Sequence, residues 1–347
     1  MLEVNIYKDF GSFVLDVDFK SKEGVLGILG ASGSGKSLSL KCISGIVRPD
    51  RGRIVLNDRV LFDSEKKINL KVQDRLIGYL FQDYALFPNM TVYENIAAGI
   101  RNKDCDFNAI VGQKLQELNL LAVKDKYPTQ ISGGEKQRAA LARILVNDAE
   151  LLILDEPYSA IDQYLRWTIE LDIKKTIEKY KIQTLFVSHD MDEAYRMCDS
   201  IVVMNKGKAE KMKKTEELFK NPETLSAAEL SGCKNFTSLK HLSKDLYYAE
   251  AWDLELRLDS CIKSDFIGIR SPYIKLGDKD LGINSYQLEV IEEIEELFGY
   301  TIIARKAASK KGGFLRIEID KEKWTSLKNK EDLYFQIDKN KLLFLQK

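Results

Sequence analysis

At 347 residues the chain exceeds what one ordinary hydrophobic core serves, so two domains are expected. Its 53 basic and 53 acidic side chains cancel to a formal charge of zero, which argues against an overall nucleic-acid footprint. A hydrophobic share of 44% is ordinary for a soluble globular protein, and no apolar run approaches the roughly 20 residues of a membrane-spanning helix.

Leu2–Tyr7, Phe13–Phe19 and Val25–Leu29 read as short strands, and the first nine residues alternate like a strand rather than a signal peptide. Gly30-Ala31-Ser32-Gly33-Ser34-Gly35-Lys36-Ser37 follows and fits the phosphate-binding pattern G-x-x-x-x-G-K-[ST]. Leu38–Ile43 reads as the start of the helix that this pattern requires. The glycines let the backbone curl until N–H groups converge, and the helix N-terminus adds positive potential. Lys36 is placed to reach the β- and γ-phosphates, and the Ser37 hydroxyl to ligate Mg²⁺. Asn57-Asp58, between the strands Arg53–Leu56 and Arg59–Phe62, marks a hairpin. Leu76–Phe81 is a further strand, and Gln82 after it is a candidate to touch Mg²⁺ or a reacting water.

From Val92 to Leu121 the apolar residues take helical spacing, which suggests a small helical insertion over about residues 85–150. Ile131-Ser132-Gly133-Gly134-Glu135-Lys136-Gln137-Arg138 then precedes a helix over Gln137–Val146. A serine with two glycines at a helix start is a second phosphate site. Beside one complete loop, it makes sense if it caps the γ-phosphate held by another copy; the plainer alternative is a Ser-Gly-Gly helix cap. Leu151–Leu154 is a buried strand ending in Asp155 and Glu156. There Asp155 is placed to hold Mg²⁺ through water, and Glu156 to polarise an attacking water. Ser159-Ala160-Ile161-Asp162 comes next, a candidate lining for a dimer seam. A helix over Leu165–Tyr180 and a strand over Thr184–Val187 lead to His189, which at a strand end can contact the γ-phosphate. Met191–Met197 is helical and Ser200–Met204 a final strand; the alternation implies a mainly parallel sheet with right-handed crossovers.

The character changes after about residue 220. Lys206–Lys214 is a charged stretch, and Thr215–Lys220 a short helix broken by Asn221-Pro222. Leu246–Leu258, Phe266–Arg270, Gln287–Ile294, Thr301–Arg305, Phe314–Ile319, Leu333–Ile337 and Leu342–Leu345 alternate like the strands of a small β-barrel. The Lys-rich stretch from Ala307 to Gly313 reads as a solvated hairpin tip. Five cysteines, Cys42, Cys105, Cys198, Cys233 and Cys261, lack C-x-x-C spacing, and their odd number fits a reducing compartment.

Taken in order, the phosphate loop, Gln82, Ser132-Gly133-Gly134, the Asp155-Glu156 pair, Ser159–Asp162 and His189 resemble an ATP-binding cassette ATPase over residues 1 to about 230. The resemblance implies an α/β P-loop cassette with a helical subdomain, working as a head-to-tail homodimer with two ATP molecules at the seam. It implies that Gly30, Ser32, Gly33, Ser34, Gly35, Lys36, Ser37 and Leu38 hold the nucleotide, and that Ser37, Gln82 and Asp155 serve Mg²⁺. Glu156 is then the catalytic carboxylate, assisted by Gln82 and His189, while Gln82 also couples the site to a membrane partner. Ser132, Gly133, Gly134 and Asp162 complete the opposite subunit's site. Phe10, before Gly11, matches the aromatic that stacks on adenine, with Tyr7 and Phe13 close by. Three residues depart from the pattern: Ile131, Glu135 and Ile161 stand where Leu, Gln and Leu are usual. Of these, Glu135 adds a negative charge near the seam and is expected to weaken nucleotide closure slightly.

Gly232-Cys233-Lys234-Asn235 and Gly268-Ile269-Arg270-Ser271-Pro272 resemble the entry and a turn of the C-terminal barrel of importer ATPases. That barrel is small, all-β and oligonucleotide-binding-like, of the TOBE/MOP kind. The implied division is a cassette over 1–230 and a regulatory barrel over 231–347. Arg53–Ser64 and Gly78–Pro88 look most like the molybdate/sulfate branch, with molybdate favoured over sulfate, thiosulfate, iron or polyamine. Integral-membrane permease subunits, an extracytoplasmic binding protein acting indirectly, and a peripheral place on the cytoplasmic face of the cell membrane follow from the resemblance; a nucleic-acid partner does not. Lys- and Gly-rich turns of the barrel are expected to hold an oxyanion that shuts transport down.

Overall fold

The computed structural model describes residues 1–22, 24–101, 104–159, 163–258, 262–309 and 313–347, which divide into two units, Met1–Thr215 and Glu216–Lys347. The first unit opens with β1 (Leu2–Asp9), β2 (Val14–Ser21), β3 (Val25–Gly30), α1 (Lys36–Ser44), β4 (Arg51–Leu56), β5 (Arg59–Asp63), β6 (Ile68–Asn69) and β7 (Ile77–Leu80). The helices α2 (Val92–Ala97), α3 (Phe107–Glu117) and α4 (Gly133–Leu145) follow. It closes with β8 (Leu151–Asp155), α5 (Gln163–Tyr180), β9 (Gln183–Val187), α6 (Met191–Met197), β10 (Ser200–Asn205), β11 (Lys208–Ala209) and β12 (Lys213–Lys214).

These strands form one sheet in the order β6-β5-β4-β1-β2-β11-β10-β3-β9-β8-β7, with β12 on β10. It is mixed rather than mainly parallel, which corrects the sequence-based expectation. Strands β10, β3, β9, β8 and β7 run parallel, whereas β2, β1, β4, β5 and β6 are joined antiparallel. Burial follows the pairing. All residues of β3 and β9 are buried, as in a sheet covered on both faces, while β2 alternates exposed and buried. Asn57 and Asp58 take φ of 49° and 64°, the left-handed pair that a two-residue hairpin needs, and they turn β4 straight back into β5. The charged stretch after β10 also contains strands: Lys206 and Gly207 turn with positive φ, and β11 and β12 pair back onto β10.

Helices α2 and α3 pack with α4 between β7 and β8. Helix α4 begins four residues before its expected start because Ser132 caps it.

The second unit holds α7 (Thr215–Lys220) from its second residue on, α8 (Leu225–Leu230), β13 (Asn235–Ser243), β14 (Leu246–Ala249), β15 (Leu254–Arg257), β16 (Phe266–Ile269) and β17 (Lys275–Gly277). It continues with β18 (Ser285–Glu295), β19 (Gly299–Lys306), β20 (Leu315–Asp320), α9 (Lys321–Leu327), β21 (Tyr334–Gln336) and β22 (Leu343–Leu345). Two five-stranded sheets result, β15-β14-β13-β16-β22 and β17-β21-β18-β19-β20. A shared core of Trp252, Leu254, Ile267, Ile302, Ile317 and Phe335 lies between them, and Trp324 of α9 is buried in it. The stretch Leu246–Leu258, expected as one strand, is two, because Asp253 takes φ of 54° and the chain reverses there. Contacts place the start of this unit ahead of residue 231, since Ala228 of α8 packs with Cys233, Leu343 and Leu345.

Among the described residues no helix is long and apolar enough to cross a membrane, and Cys42, Cys198 and Cys233 are free thiols. Cys261 and residues 310–312 of the Lys-rich stretch lie outside the described residues.

Candidate functional site

Strand β3 delivers the phosphate loop to the end of the sheet, and α1 carries it away. The loop can close only on a glycine at its start. A Cβ on Gly30 would sit 2.4 Å from the Ser34 hydroxyl and 2.5 Å from the Met204 carbonyl oxygen. At its end Gly35 takes φ of 103° as the residue preceding α1, a left-handed conformation that side chains rarely adopt. Lys36, only 8% exposed, donates from Nζ to the carbonyls of Gly30 at 2.7 Å and Ala31 at 3.0 Å. Burial lowers the pKa of its ammonium, while the carboxylates of Glu156 and Asp155 work the other way. Ser32 through Leu38 form one wall of a cavity of about 560 Å³, with Phe10, Phe13, Glu156 and His189 on its other sides.

Asp155 stands at the end of β8, held by two hydroxyls. Tyr79 donates to its Oδ2 at 2.8 Å, and the Ser37 hydroxyl lies 3.4 Å from its Oδ1. Burial, and then the Asp155 charge, push the Tyr79 phenol well above its ordinary pKa, so it remains a donor. A hydroxyl and a carboxylate oxygen this close are hard donors of the kind Mg²⁺ takes. Among the described residues no group of three or more His, Cys, Asp or Glu side chains is arranged to hold a metal ion.

The next residue, Glu156, has φ of 48°, a left-handed backbone unusual for a side chain of its size. Its N–H is strapped to the Val187 carbonyl of β9 at 2.9 Å, and its carboxylate lies 3.5 Å from His189 Nδ1. The Ser159 hydroxyl donates to the Glu156 carbonyl at 2.9 Å. Parallel pairing of β8 with β9 is what brings the acid and the histidine, 33 positions apart, to one sheet end.

The other sequence candidates fall elsewhere. Gln82 is exposed in the turn after β7 and does not line the cavity. Ser132 lies outside the cavity and caps α4 reciprocally with Glu135: its hydroxyl and N–H each donate to Glu135 Oε2 at 2.8 Å, and the hydroxyl accepts from the Glu135 N–H at 3.4 Å. Gly133 and Gly134 form the first turn of α4 behind it. Among the aromatics, Phe10 and Phe13 both face the cavity, while Tyr7 stacks under the Arg51 guanidinium at 4.0 Å. Asp162 lies outside the described residues.

Sequence reasoning passed over two residues. Tyr79 is the anchor of Asp155; the available signal was a phenol in an otherwise apolar strand. Gln137, buried in α4, donates to the Pro157 carbonyl at 3.2 Å and so ties the helical insertion to the backbone just after Glu156. In the second unit, a cavity of about 350 Å³ is lined by Glu296, Glu318 and Asp320 against Lys275 and Lys323, a balance unsuited to an oxyanion.

A buried strand, a lysine- and serine-bearing loop on a helix start, and an acidic strand end beside it define a P-loop nucleoside-triphosphate-binding domain. Comparison with known proteins narrows that class. The family model described as ABC transporter matches residues 14–159. The chain is 42% identical over 225 residues to the sulfate/thiosulfate import ATP-binding protein CysA of Synechococcus elongatus, a match covering 63% of this chain and 64% of that protein. It is 40% identical over 224 residues to the molybdenum import ATP-binding protein ModC of Mannheimia succiniciproducens, covering 64% and 62% respectively. The chain thus spans a little under two thirds of the length of these relatives. The dimeric post-hydrolysis structure of the ATP-binding cassette MJ0796, bound to ADP and Pi, aligns with a TM-score of 0.52 at 26% identity, over 62% of this chain and 99% of that one. The chain belongs to the ABC transporter family of ATP-binding proteins.

Proposed function

We propose that the chain is the ATP-hydrolysing subunit of an importer for a tetrahedral oxyanion, of the class that includes sulfate and molybdate. One observation carries the hydrolytic part: Lys36, Ser37, Glu156 and His189, from the loop between β3 and α1, the end of β8 and the end of β9, line one cavity, and Asp155 stands 3.4 Å from the Ser37 hydroxyl. Lys36 would exchange its two loop carbonyls for phosphate oxygens. Ser37 and Asp155 would hold Mg²⁺, which when bound neutralises charge on the β- and γ-phosphates. Glu156 would accept a proton from the attacking water, and His189 would steady that carboxylate and contact the γ-phosphate. Phe10 or Phe13 would stack on adenine.

The oxyanion part rests on the names of the relatives. They include both cargoes, so the molybdate expected from the sequence is proposed here as one member of a pair with sulfate. The exposed position of Ser132, away from its own chain's cavity, supports a head-to-tail homodimer in which Ser132, Gly133, Gly134 and Asp162 complete the partner's site. Gln82, exposed beside the helical insertion, is the residue we assign to the face that meets integral-membrane permease subunits. That places the chain peripherally on the cytoplasmic side of the membrane, with a binding protein feeding the permease from outside. We assign the second unit as a regulatory domain of the TOBE/MOP kind.

The test is ATP hydrolysis by wild type and Glu156→Gln, alone and reconstituted with the permease and a panel of oxyanion-loaded binding proteins. Loss of a general base is expected to lower kcat by about 100-fold or more. Stimulation by molybdate or by sulfate would name the cargo. Activity surviving in Glu156→Gln would remove that residue from the mechanism.

A further inference from the structure

His189 reaches the cavity from an exposed position, 69% accessible, with the Glu156 carboxylate 3.5 Å from its ring. What holds its backbone lies underneath. The buried Ser188 hydroxyl donates to Glu193 Oε2 at 2.6 Å and accepts from the Asp190 N–H at 2.9 Å. Asp190 caps α6, accepting from the N–H groups of Asp192 at 2.8 Å and Glu193 at 3.1 Å. Glu193 is 4% exposed. Its other oxygen, Oε1, lies 3.2 Å from Arg166 Nη1, which also stands 3.7 Å from Asp190 Oδ2. Arg166 belongs to α5, the helix that follows the acidic strand end. One buried carboxylate therefore joins the end of β9, the start of α6 and the first turns of α5.

A buried carboxylate is costly to keep unless its charge is used, since an amide of the same shape can fill the same space. Here the charge attracts Arg166, and the oxygen facing Ser188 fixes the residue next to His189. We propose that Glu193 is a positioning residue for hydrolysis: through Ser188 it holds His189 in register with Glu156, and Arg166 carries the constraint from α5. This inference rests on the ATP-hydrolysing reading above.

The groups around Glu193 make the arrangement sensitive to acid. Arg166 and Glu170 face it from α5, Asp190 precedes it at the cap of α6, and Tyr158 faces it from the loop after β8. Arg196, one turn on, is taken by Glu170 in a two-bond fork at 2.6 and 2.9 Å. Burial pushes the Glu193 carboxyl up, and the Asp190 and Glu170 charges add to that, against Ser188 and Arg166, which pull it down. As pH falls, protonation at Glu193 weakens its hold on Arg166 before ordinary carboxylates titrate.

The experiment is steady-state ATP hydrolysis by the full chain from about pH 5 to about pH 9, for wild type, Glu193→Gln, Arg166→Met and Glu156→Gln. Glu193→Gln and Arg166→Met are each expected to lower kcat about tenfold at neutral pH with KM for ATP within about twofold. The thermal midpoint of Glu193→Gln should stay near wild type, whereas Arg166→Met, which leaves the buried Glu193 charge without its cation, is expected to lower it. The acid limb of the wild-type kcat profile should shift in Glu193→Gln, because an amide does not titrate. A Glu193→Gln enzyme with wild-type kcat and an unchanged acid limb overturns the proposal. So does a loss confined to KM or to the thermal midpoint, which would put Glu193 in nucleotide binding or in folding. Wild type no faster than Glu156→Gln would instead overturn the ATP-hydrolysing reading, and this proposal with it.

Discussion

Arg75 offers the sharpest test of how the phosphate loop is supported. It is fully buried at 0% exposure, and its guanidinium donates to four acceptors. These are the Leu70 carbonyl at 3.1 Å, the Cys42 and Ile43 carbonyls at 3.1 and 2.6 Å, and Asn69 Oδ1 at 2.9 Å. Cys42 and Ile43 lie in the last turn of α1, where carbonyls lack helical partners and a cation is favoured. Burial pushes the Arg75 pKa down to about 10, which still leaves it charged at neutral pH. Arg75→Met keeps much of the volume and removes every donor. The Cys42 carbonyl retains the Gly45 N–H at 3.2 Å, but those of Ile43 and Leu70 lose the bond from Arg75. Each orphaned carbonyl costs roughly 1–3 kcal/mol, partly offset by no longer burying a cation, so a net loss of about 3 kcal/mol is expected. Against a domain stability of about 5–15 kcal/mol this is large. With a urea m-value of about 3 kcal/mol/M, the unfolding midpoint of the first unit should fall by about 1 M. Hydrogen exchange of peptides from α1 would assign the loss to that unit. Arg75→Lys should recover only about half, because an ammonium cannot span the fork. A midpoint within about 0.2 M of wild type for Arg75→Met would refute the reasoning.

Tyr79→Phe removes the donor that orients Asp155 and should weaken Mn²⁺ binding to the nucleotide-loaded chain about tenfold, read by electron paramagnetic resonance; an unchanged titration would mean Asp155 orients itself. Glu117 supplies a pH prediction. Burial alone would raise its carboxyl, but hydrogen bonds from Tyr180, Gln113, Lys179 and Lys114 outweigh that and hold it at about 2, against an ordinary 4.5. Because the folded value is the lower one, its contribution is complete above about pH 4.5 and is lost as pH falls toward 2. After discounting for solvent screening, Glu117→Gln should cost about 2 kcal/mol at neutral pH and flatten the acid limb of stability against pH; parallel limbs for the two proteins would exclude the residue.

How legible each part was in the sequence tracks how local its cause is. The phosphate loop is eight consecutive residues whose chemistry needs no tertiary partner to be recognised. Strand β3 is a run of apolar residues and glycine, β9 ends in the apolar run Leu185–Val187, and the Asn57-Asp58 turn is dictated by two adjacent backbones. Asp155 and Glu156 could be placed because a strand end is itself a local signal. Tyr79 could not, since its role depends on β7 lying beside β8, a pairing between segments 74 positions apart. Apart from the β4–β5 hairpin, the antiparallel half of the main sheet was missed for the same reason: which strand lies next to which is not written in any one strand. In the second unit, α9 has just Trp324 and Leu327 as buried apolar residues within a charged stretch, too little periodicity to separate a helix from a turn.

Glu135 joins the two levels. Read along the chain, it is a charge added beside a glycine pair that a second copy would meet. In the fold that charge is already engaged: hydrogen bonds from the Ser132 N–H and hydroxyl, in that order, hold its carboxyl below the ordinary range, and it sits in the first turn of α4, where negative charge is favoured. The hydroxyl it engages is the one assigned above to a partner's phosphate. A charge-assisted bond is stronger than the one a neutral glutamine would make. Glu135 therefore stabilises the isolated helix end, and in the proposed homodimer the same bond would raise the cost of releasing Ser132 to a nucleotide. Helix capping and the proposed site completion would then compete for one oxygen atom, and the residue that departs from the pattern would set the balance between them.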